Sequence, residues 1–135
     1  MNLKLFVAPA APPADIRAEA TSSSSVKVSW MAPPKEMRRG SIKGYYLGYK
    51  VLRSSDTFTY KTLESSGEIR EEHHLTNLRR FTQYAIRLQA FNKAGSGPHS
   101  EEVTVQTLEY GKKWILLKHI TPCTYIQNKL QIKHK

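Results

Sequence analysis

Apolar and polar residues alternate with a period of two along most of the chain between Ile16 and Leu108. In the clearest run, Tyr84, Ile86 and Leu88 occupy one face, and every second residue between them points the other way. This alternation is typical of a β-strand with one buried face. Clusters of Pro, Gly, Ser and Asn interrupt the runs, and helical periodicity is nearly missing. The pattern therefore predicts an all-β fold of about seven short antiparallel strands stacked as a β-sandwich.

The individual runs predict where the strands lie. They cover Ala14–Ala20, a segment around Val26, Val28 and Trp30, a longer strand within 41–53, a short edge strand in 58–64, a strand in 69–78, one through 84–90 and its hairpin partner at 103–107. In the fifth run, only the Leu75 end is predicted to be deeply buried, so that strand is expected to be partly exposed. Gly95 and Gly97 are assigned to a turn because glycine tolerates positive φ, and Pro98 ends ladder pairing.

The large residues on the inward faces define the predicted core. They are Trp30, Tyr45, Leu47, Tyr49, Leu75, Leu78, Tyr84, Ile86, Leu88, Val103 and Val105. Cys123 is the only cysteine in the chain, so no disulfide within the chain can form. The core must therefore stabilise the fold without a covalent cross-link.

The charge is unevenly distributed along the chain. Its formal net value is +10, yet residues 1–109 carry 15 basic and 11 acidic groups, or +4, and residues 110–135 carry six lysines and no acid. This charge distribution sets a basic tail over 109–135 apart, which we predict to be disordered or weakly docked. The rest of the chain is predicted to be one domain over 12–108 after a flexible leader over 1–11. Two alternatives for the tail stay open: a cationic surface-binding segment around Trp114, or translated intron beginning near Gly111.

The candidate chemical groups do not assemble into a reactive site. His73 and His74 are adjacent, so on a strand they point to opposite faces and cannot bind one metal ion from the same side. The chain has no Gly-x-Ser-x-Gly elbow, no His-Glu-x-x-His helix and no glycine-rich phosphate loop. We predict no catalytic, cofactor-binding or metal-binding residue, and no enzyme activity.

Exposed basic and aromatic residues are the candidates for contact with a partner. Lys35, Arg38, Arg39 and Lys43 cluster around one predicted loop, and Arg79 and Arg80 lie in another. Such groups can attract heparan sulfate or another acidic partner, although an ordinary solvated surface explains them as well. Tyr46 points outward and is predicted either to contact a partner or to pack across the strands. Nucleic acid is not a predicted partner, because aromatic residues are not interleaved with these charges and no recognition helix is present.

Three segments resemble a fibronectin type III domain, and the resemblance covers residues 12–108. They are "VKVSWMAPP", "IKGYYLGYK" and "LTNLRRFTQYAIRLQAFNKAGSGPHS". Arg80 and Phe81 stand where the family often has Pro-Gly, and "LRRFTQY" is more similar to neuronal adhesion receptors of the Down syndrome cell adhesion molecule or sidekick type. The resemblance implies a seven-stranded immunoglobulin-like sandwich with a nonfamily tail, in which Tyr84 forms a tyrosine corner and Trp30 fills the centre.

The same resemblance implies a function. The chain is expected to be a noncatalytic adhesion or spacer module from a longer receptor on the extracellular side of the plasma membrane, with a protein partner such as another adhesion receptor. The loop at 92–99 has no Arg-Gly-Asp, so the integrin-binding mode known in the family is not carried over. The chain itself shows neither a signal peptide nor an apolar run of the roughly 20 residues that cross a bilayer. A heparin-binding module and an intracellular cytoskeletal module of the same fold are the alternatives.

Overall fold

The computed structural model describes residues 7–109 of the 135-residue chain. Predictions for residues 1–6 and for the tail after residue 109 lie outside this part. The strands are β1 Ala14–Ala20, β2 Val26–Met31, β3 Gly44–Val51, β4 Thr59–Glu64, β5 Arg70–Leu75, β6 Gln83–Asn92, β7 Gly95–Ser96 and β8 Val103–Gln106, with a 3₁₀ turn at Lys35–Met37. The predicted all-β fold is confirmed, and a two-residue strand, β7, is added in the loop that follows β6.

The strands form two antiparallel sheets. The smaller sheet has the order β1-β2-β5, and the larger has the order β4-β3-β6-β7, with β8 also paired to β6. The central ladder of the larger sheet pairs β3 with β6, so that Tyr45 lies opposite Ala90 and Leu47 opposite Leu88. Because side chains alternate between the faces of a strand, this register puts the apolar residues of both strands on the same inner face.

The core lies between the sheets. The Trp30 ring, 1% exposed, packs edge-on against the Tyr45 ring with centroids 5.4 Å apart. Of the residues expected inside, the structure buries Trp30, Tyr45, Leu47, Leu75, Leu78, Tyr84, Ile86 and Leu88. Tyr49 and Val105 are partly buried and pack against this cluster, and Val103 is partly buried.

The prediction that only the Leu75 end of the fifth strand is deeply buried is wrong. Glu71 in β5 is 6% exposed, whereas Ile69, just before the strand, is 82% exposed. The Glu71 carboxylate accepts hydrogen bonds from the Ser65 hydroxyl at 3.0 Å and from the Ser66 amide at 2.8 Å and hydroxyl at 3.1 Å. A buried charge is tolerated when such donors replace water, so the two serines explain the burial.

The loop between β5 and β6 forms the tyrosine corner that the resemblance implies. The Tyr84 ring is 5% exposed, and its hydroxyl oxygen accepts a hydrogen bond from the Arg79 amide at 2.7 Å. The Leu78 amide donates to the Ser24 carbonyl at 2.9 Å. These bonds hold the loop against the turn between β1 and β2.

Residues 7–11, which the sequence assigns to a flexible leader, lie against the opposite end of the domain. The Ala10 amide donates to the Met37 carbonyl at 2.7 Å, and the Asn92 side chain donates to the Val7 carbonyl at 2.8 Å. Gly97 does not have the positive φ that the turn assignment expects; a Cβ there would lie 2.7 Å from the Pro9 carbonyl oxygen. This glycine therefore permits the close approach of the leader.

Candidate interaction surface

The outer face of the smaller sheet carries charges that neutralise one another. Lys27 pairs with Glu19 at 3.2 Å, and Arg17 pairs with Asp15 at 2.9 Å. Arg70 also pairs with Asp15. Exposed pairs of this kind contribute little to stability and leave a balanced, solvated surface. This face therefore has the character of an ordinary protein exterior.

The outer face of the larger sheet is aromatic. Tyr46 on β3 stacks on Phe91 on β6 with ring centroids 4.6 Å apart, which is the cross-strand packing that the sequence left as one of two readings. The Phe91 ring lies over Gly44, where a Cβ would come within 2.6 Å of its Cζ atom. The missing side chain at Gly44 thus lets an aromatic ring lie directly on the strand.

A second group on this face, the cationic aromatic cluster, comprises Phe58, Tyr60, Arg87, His99 and Lys50. The Arg87 guanidinium carbon lies 4.0 Å from the Phe58 ring centroid. Its Nε and Nη2 atoms donate to the Tyr60 hydroxyl oxygen at 2.9 and 2.5 Å. Cation–π stacking and these hydrogen bonds together fix the orientation of the guanidinium.

The register of three strands brings the cluster together. Gly48 in β3 lies opposite Tyr60 in β4 on one side and opposite Arg87 in β6 on the other. A Cβ at Gly48 would lie 2.5 Å from the Tyr60 ring, so the absence of a side chain at Gly48 leaves room for that ring. The sequence analysis missed Phe58, Tyr60, Arg87, Phe91 and His99. Alternation along β6 puts Arg87 and Phe91 on the outer face, but it does not indicate that Tyr60 lies beside Arg87.

The cluster has an uncompensated positive charge. Lys50 Nζ lies 5.7 Å from the Phe58 centroid and donates to the Ser54 carbonyl at 3.1 Å. Within residues 7–109, neither Lys50 nor Arg87 forms an ion pair with a carboxylate. Burial and, secondarily, the charge of Arg87 lower the pKa of His99 from its ordinary value of 6.5. This face therefore differs in both charge and composition from the face of the smaller sheet.

The two groups of basic residues, which the sequence assigns to two different loops, lie far apart in the structure. Met31 pairs with Arg70 at one end of the smaller sheet, and Val26 pairs with Leu75 at the other. The loop after Met31 carries Lys35, Arg38, Arg39 and Lys43, and the loop after Leu75 carries Arg79 and Arg80. The two groups consequently lie at opposite ends of the sandwich and do not form one surface.

The first basic loop is also tied into the fold. Arg38 Nε donates to the Pro33 carbonyl at 2.7 Å, and the backbone carbonyls of Arg38 and Arg39 each lie 3.2 Å from the Asn92 side-chain amide. Some polar groups of Arg38 and Arg39 therefore hold this loop in the fold. No finding supports heparan sulfate as a partner, which stays a sequence prediction.

An open cleft of about 770 Å³ lies at the same end, with Tyr45, Glu71 and Arg38 among its lining residues. Burial and then the Glu71 charge raise the pKa of Tyr45 to about 12. The Tyr45 hydroxyl is near enough to Glu71 to respond to its charge, but it completes no hydrogen bond within the described part of the chain. The carboxylate of Glu71 accepts the hydrogen bonds from Ser65 and Ser66 described above.

His73 is partly buried and His74 is exposed, on opposite faces of β5. Burial, with the nearby charge of Lys61, lowers the pKa of His73. Across residues 7–109, no group of three His, Cys, Asp or Glu side chains is arranged to hold a metal ion. The helices in that range also include none that is long and apolar enough to cross a membrane.

Comparison with known proteins identifies relatives of similar sequence. Human cell adhesion molecule DSCAM is 40% identical over 104 residues, which cover 76% of this chain and 5% of that protein. Cell adhesion molecule Dscam1 of Drosophila melanogaster is 39% identical over the same length and with the same coverage. The chain thus spans about 5% of the length of these relatives. The predicted resemblance to receptors of the Down syndrome cell adhesion molecule type is confirmed.

A solved structure and a family comparison agree with these relatives. The crystal structure of chicken CNTN1 FN1-FN3 domains matches with a TM-score of 0.62 and 30% identity, covering 76% of this chain and 33% of that one. The fibronectin type III domain matches residues 11–106. With two antiparallel sheets, a tyrosine corner and a central tryptophan, the chain belongs to the fibronectin type III family.

Proposed function

We propose that this chain is a noncatalytic protein-interaction module of a longer adhesion receptor, and that it meets its partner through the outer face of the larger sheet. The observation that carries the proposal is the contrast between the two outer faces. One face pairs its charges internally, whereas the other exposes aromatic rings together with cations that have no carboxylate partner among residues 7–109. Tyrosine, phenylalanine and arginine are enriched where proteins bind one another.

The relatives support the place of the module in a larger protein. Those named above are cell adhesion molecules many times longer than this chain. By analogy, the module belongs on the extracellular side of the plasma membrane, where a packed sandwich also serves as a rigid spacer. Its partner would be a protein, such as another adhesion receptor.

The geometry also supports a noncatalytic role. Glu71 is the only buried carboxylate among residues 7–109, and three serine donors occupy it. A general base must reach a substrate proton with a free oxygen. The Glu71 carboxylate instead holds the turn at Ser65 and Ser66.

Beads coated with the full-length chain test the proposal. We expect them to attach to cells that display adhesion receptors, and we expect the double variant Tyr46→Ser/Phe91→Ser to lower attachment by about tenfold, because it removes the aromatic stack from the contact face. The matched control is Glu19→Ser/Lys27→Ser on the smaller sheet, which should attach like the original chain. Circular dichroism checks that both variants fold. Equal attachment by both double variants would contradict the assignment of the contact face.

A further inference from the structure

We propose that the cationic aromatic cluster is a binding site for a carboxylate side chain, an Asp or a Glu, presented by the partner protein. This inference rests on the proposed function and names the chemistry of the partner. Its basis is a pair of adjacent hydrogen-bond donors on Arg87 and Tyr60 beside a second cation, Lys50, with neither cation in an ion pair to a carboxylate among residues 7–109.

The donors follow from the hydrogen bonds already present. The Tyr60 hydroxyl oxygen accepts from Arg87 Nε at 2.9 Å and from Nη2 at 2.5 Å. A tyrosine hydroxyl that accepts still has its own proton to donate, and a guanidinium has five N–H groups, of which these contacts use two. The remaining guanidinium N–H groups and the Tyr60 O–H therefore stay available beside one another. Two adjacent donors match the two oxygens of one carboxylate.

The site is held in place before any partner arrives. The Phe58 ring supports the guanidinium at 4.0 Å, and the Tyr60 ring lies against the strand at Gly48. Tyr60 is 40% exposed, so its edge is accessible. Because the side chains are already ordered, binding costs less conformational entropy than ordering flexible surface residues would.

Charge selects an anionic ligand over a neutral or cationic one. Lys50 lies over the same Phe58 ring as Arg87, and both carry positive charge. The His99 ring also lies near Tyr60, with ring centroids 6.2 Å apart, and its lowered pKa favours the neutral form at pH 7. A Lys or Arg from a partner would be repelled here. An Asp or Glu side chain would accept hydrogen bonds from the donors, and an apolar residue next to it would pack against the exposed Tyr60 ring.

Nuclear magnetic resonance titration of the full-length chain with two blocked tripeptides tests this site. The probe is N-acetyl-Leu-Glu-Leu-amide, and its matched control replaces Glu with Gln. We expect the Glu peptide to shift the Arg87 side-chain Nε–H and the backbone amides of Phe58 and Tyr60. The Gln peptide should bind about tenfold more weakly, because a charge-assisted hydrogen bond is roughly twice as strong as a neutral one.

Substitutions separate the two donors. Tyr60→Phe keeps the ring and removes the donated proton, so affinity for the Glu peptide should fall about fivefold, and Arg87→Gln should lower it by more than about tenfold. Arg17→Gln on the smaller sheet is the control and should leave the affinity unchanged. Dispersion of the amide resonances shows whether each variant is folded.

Specific outcomes would overturn the inference. Equal affinity for the Glu and Gln peptides, or unchanged affinity in folded Tyr60→Phe, would each exclude the carboxylate site. Preferential binding of a sulfated heparin disaccharide in place of the Glu peptide would identify a polyanion site instead. The cell-attachment assay is read separately: attachment that depends on Tyr46 and Phe91 but not on Arg87 would retain the contact face and reject the carboxylate site.

Discussion

Tyr45 and Tyr84 are both buried, but their hydroxyl groups are in different situations. The Tyr84 hydroxyl accepts the Arg79 amide, whereas the Tyr45 hydroxyl has no hydrogen bond within residues 7–109. Removal of a hydroxyl that satisfies a buried donor costs more than removal of one that is itself unsatisfied. The same Tyr→Phe change should therefore have different effects at the two positions.

Urea denaturation measures this difference. We expect Tyr84→Phe to lower the free energy of unfolding by about 1 to 3 kcal/mol, because the Arg79 amide loses its acceptor. Tyr45→Phe should be neutral or slightly stabilising at pH 7. Tyr49→Phe is the control for the loss of a hydroxyl from a partly buried tyrosine. Similar losses at Tyr45 and Tyr84 would contradict this account.

Tyr45 should also make the fold sensitive to alkali. Burial and the Glu71 charge raise its pKa from 10.0 to about 12, so between these values the folded chain keeps a proton that the unfolded chain loses. The protonation of Tyr45 therefore leaves the free energy of unfolding unchanged below pH 10. As the pH rises from 10 towards 12, the free energy of unfolding falls by about 1.4 kcal/mol per pH unit. The original chain should therefore lose stability relative to Tyr45→Phe over this window, so that the two denaturation curves diverge, whereas a constant difference between them would refute the expectation.

At the scale of the strand, two glycines of β3 lie beneath aromatic rings but should respond differently to substitution. A Cβ at Gly44 would meet the backbone carbonyl oxygen of Leu63, which cannot move without disturbing the ladder. The three atoms nearest to a Cβ at Gly48 all belong to the ring of Tyr60, which is exposed and can swing away. Substitution of Gly44 therefore tests the stability of the sheet, and substitution of Gly48 tests the geometry of its outer face.

We expect Gly44→Ala to lower the free energy of unfolding by about 1 to 3 kcal/mol, as overpacking does, and Gly48→Ala to lower it by less. Gly48→Ala should nevertheless weaken binding of the Glu tripeptide, because it moves Tyr60 away from Arg87. Urea denaturation and the peptide titration provide the two measurements. A larger stability loss at Gly48 than at Gly44 would be inconsistent with this packing.

Asn92, at the end of β6, joins three segments. Its side-chain amide nitrogen lies within hydrogen-bonding distance of the Val7, Arg38 and Arg39 carbonyls, and its carbonyl oxygen accepts from the Ala94 amide at 2.8 Å. The leader, the loop after β2 and the turn after β6 therefore depend on one side chain that is 8% exposed.

Asn92→Asp tests this junction, because the carboxylate keeps the acceptor for Ala94 and removes the donor. We expect a loss of about 1 to 3 kcal/mol in the free energy of unfolding. Hydrogen exchange at the Ala10 amide should accelerate, since the leader loses its bond through Val7, while exchange at Leu88 in the centre of β6 should follow global unfolding. Unchanged exchange at Ala10 would show that the leader is held by other contacts.

For the whole molecule, the central question is what joins two sheets that have no disulfide between them. Trp30 lies in the core cluster that draws residues from both sheets. Trp30→Ala should lower the free energy of unfolding by about 3 to 5 kcal/mol, a large part of the roughly 5 to 15 kcal/mol typical of a domain. Ile69→Ala, at an 82% exposed position, is the control and should change it by less than about 0.5 kcal/mol. A loss below about 1 kcal/mol for Trp30→Ala in chemical denaturation would exclude a central role for this ring.

Much of the fold could be predicted from alternation along single strands. The inward direction of Trp30, Leu47 and Ile86 follows from a side-chain period of two, which is a local property of extended backbone. The burial of Glu71 could not be predicted in this way. It depends on Ser65 and Ser66 folding back to donate to the carboxylate, and no pattern along β5 contains that information.

The contact surface also has one part that the sequence predicts and one part that it does not. Alternation alone places Tyr46 and Arg87 on outer faces, because neighbouring side chains on a strand must point in opposite directions. Only the pairing of β4, β3 and β6 puts Tyr60, Gly48 and Arg87 in one row, since register joins residues that are far apart in the chain. The same pairing sends the two basic loops to opposite ends of the sandwich. Local backbone geometry thus decides which way each side chain points, and the tertiary structure decides which side chains meet.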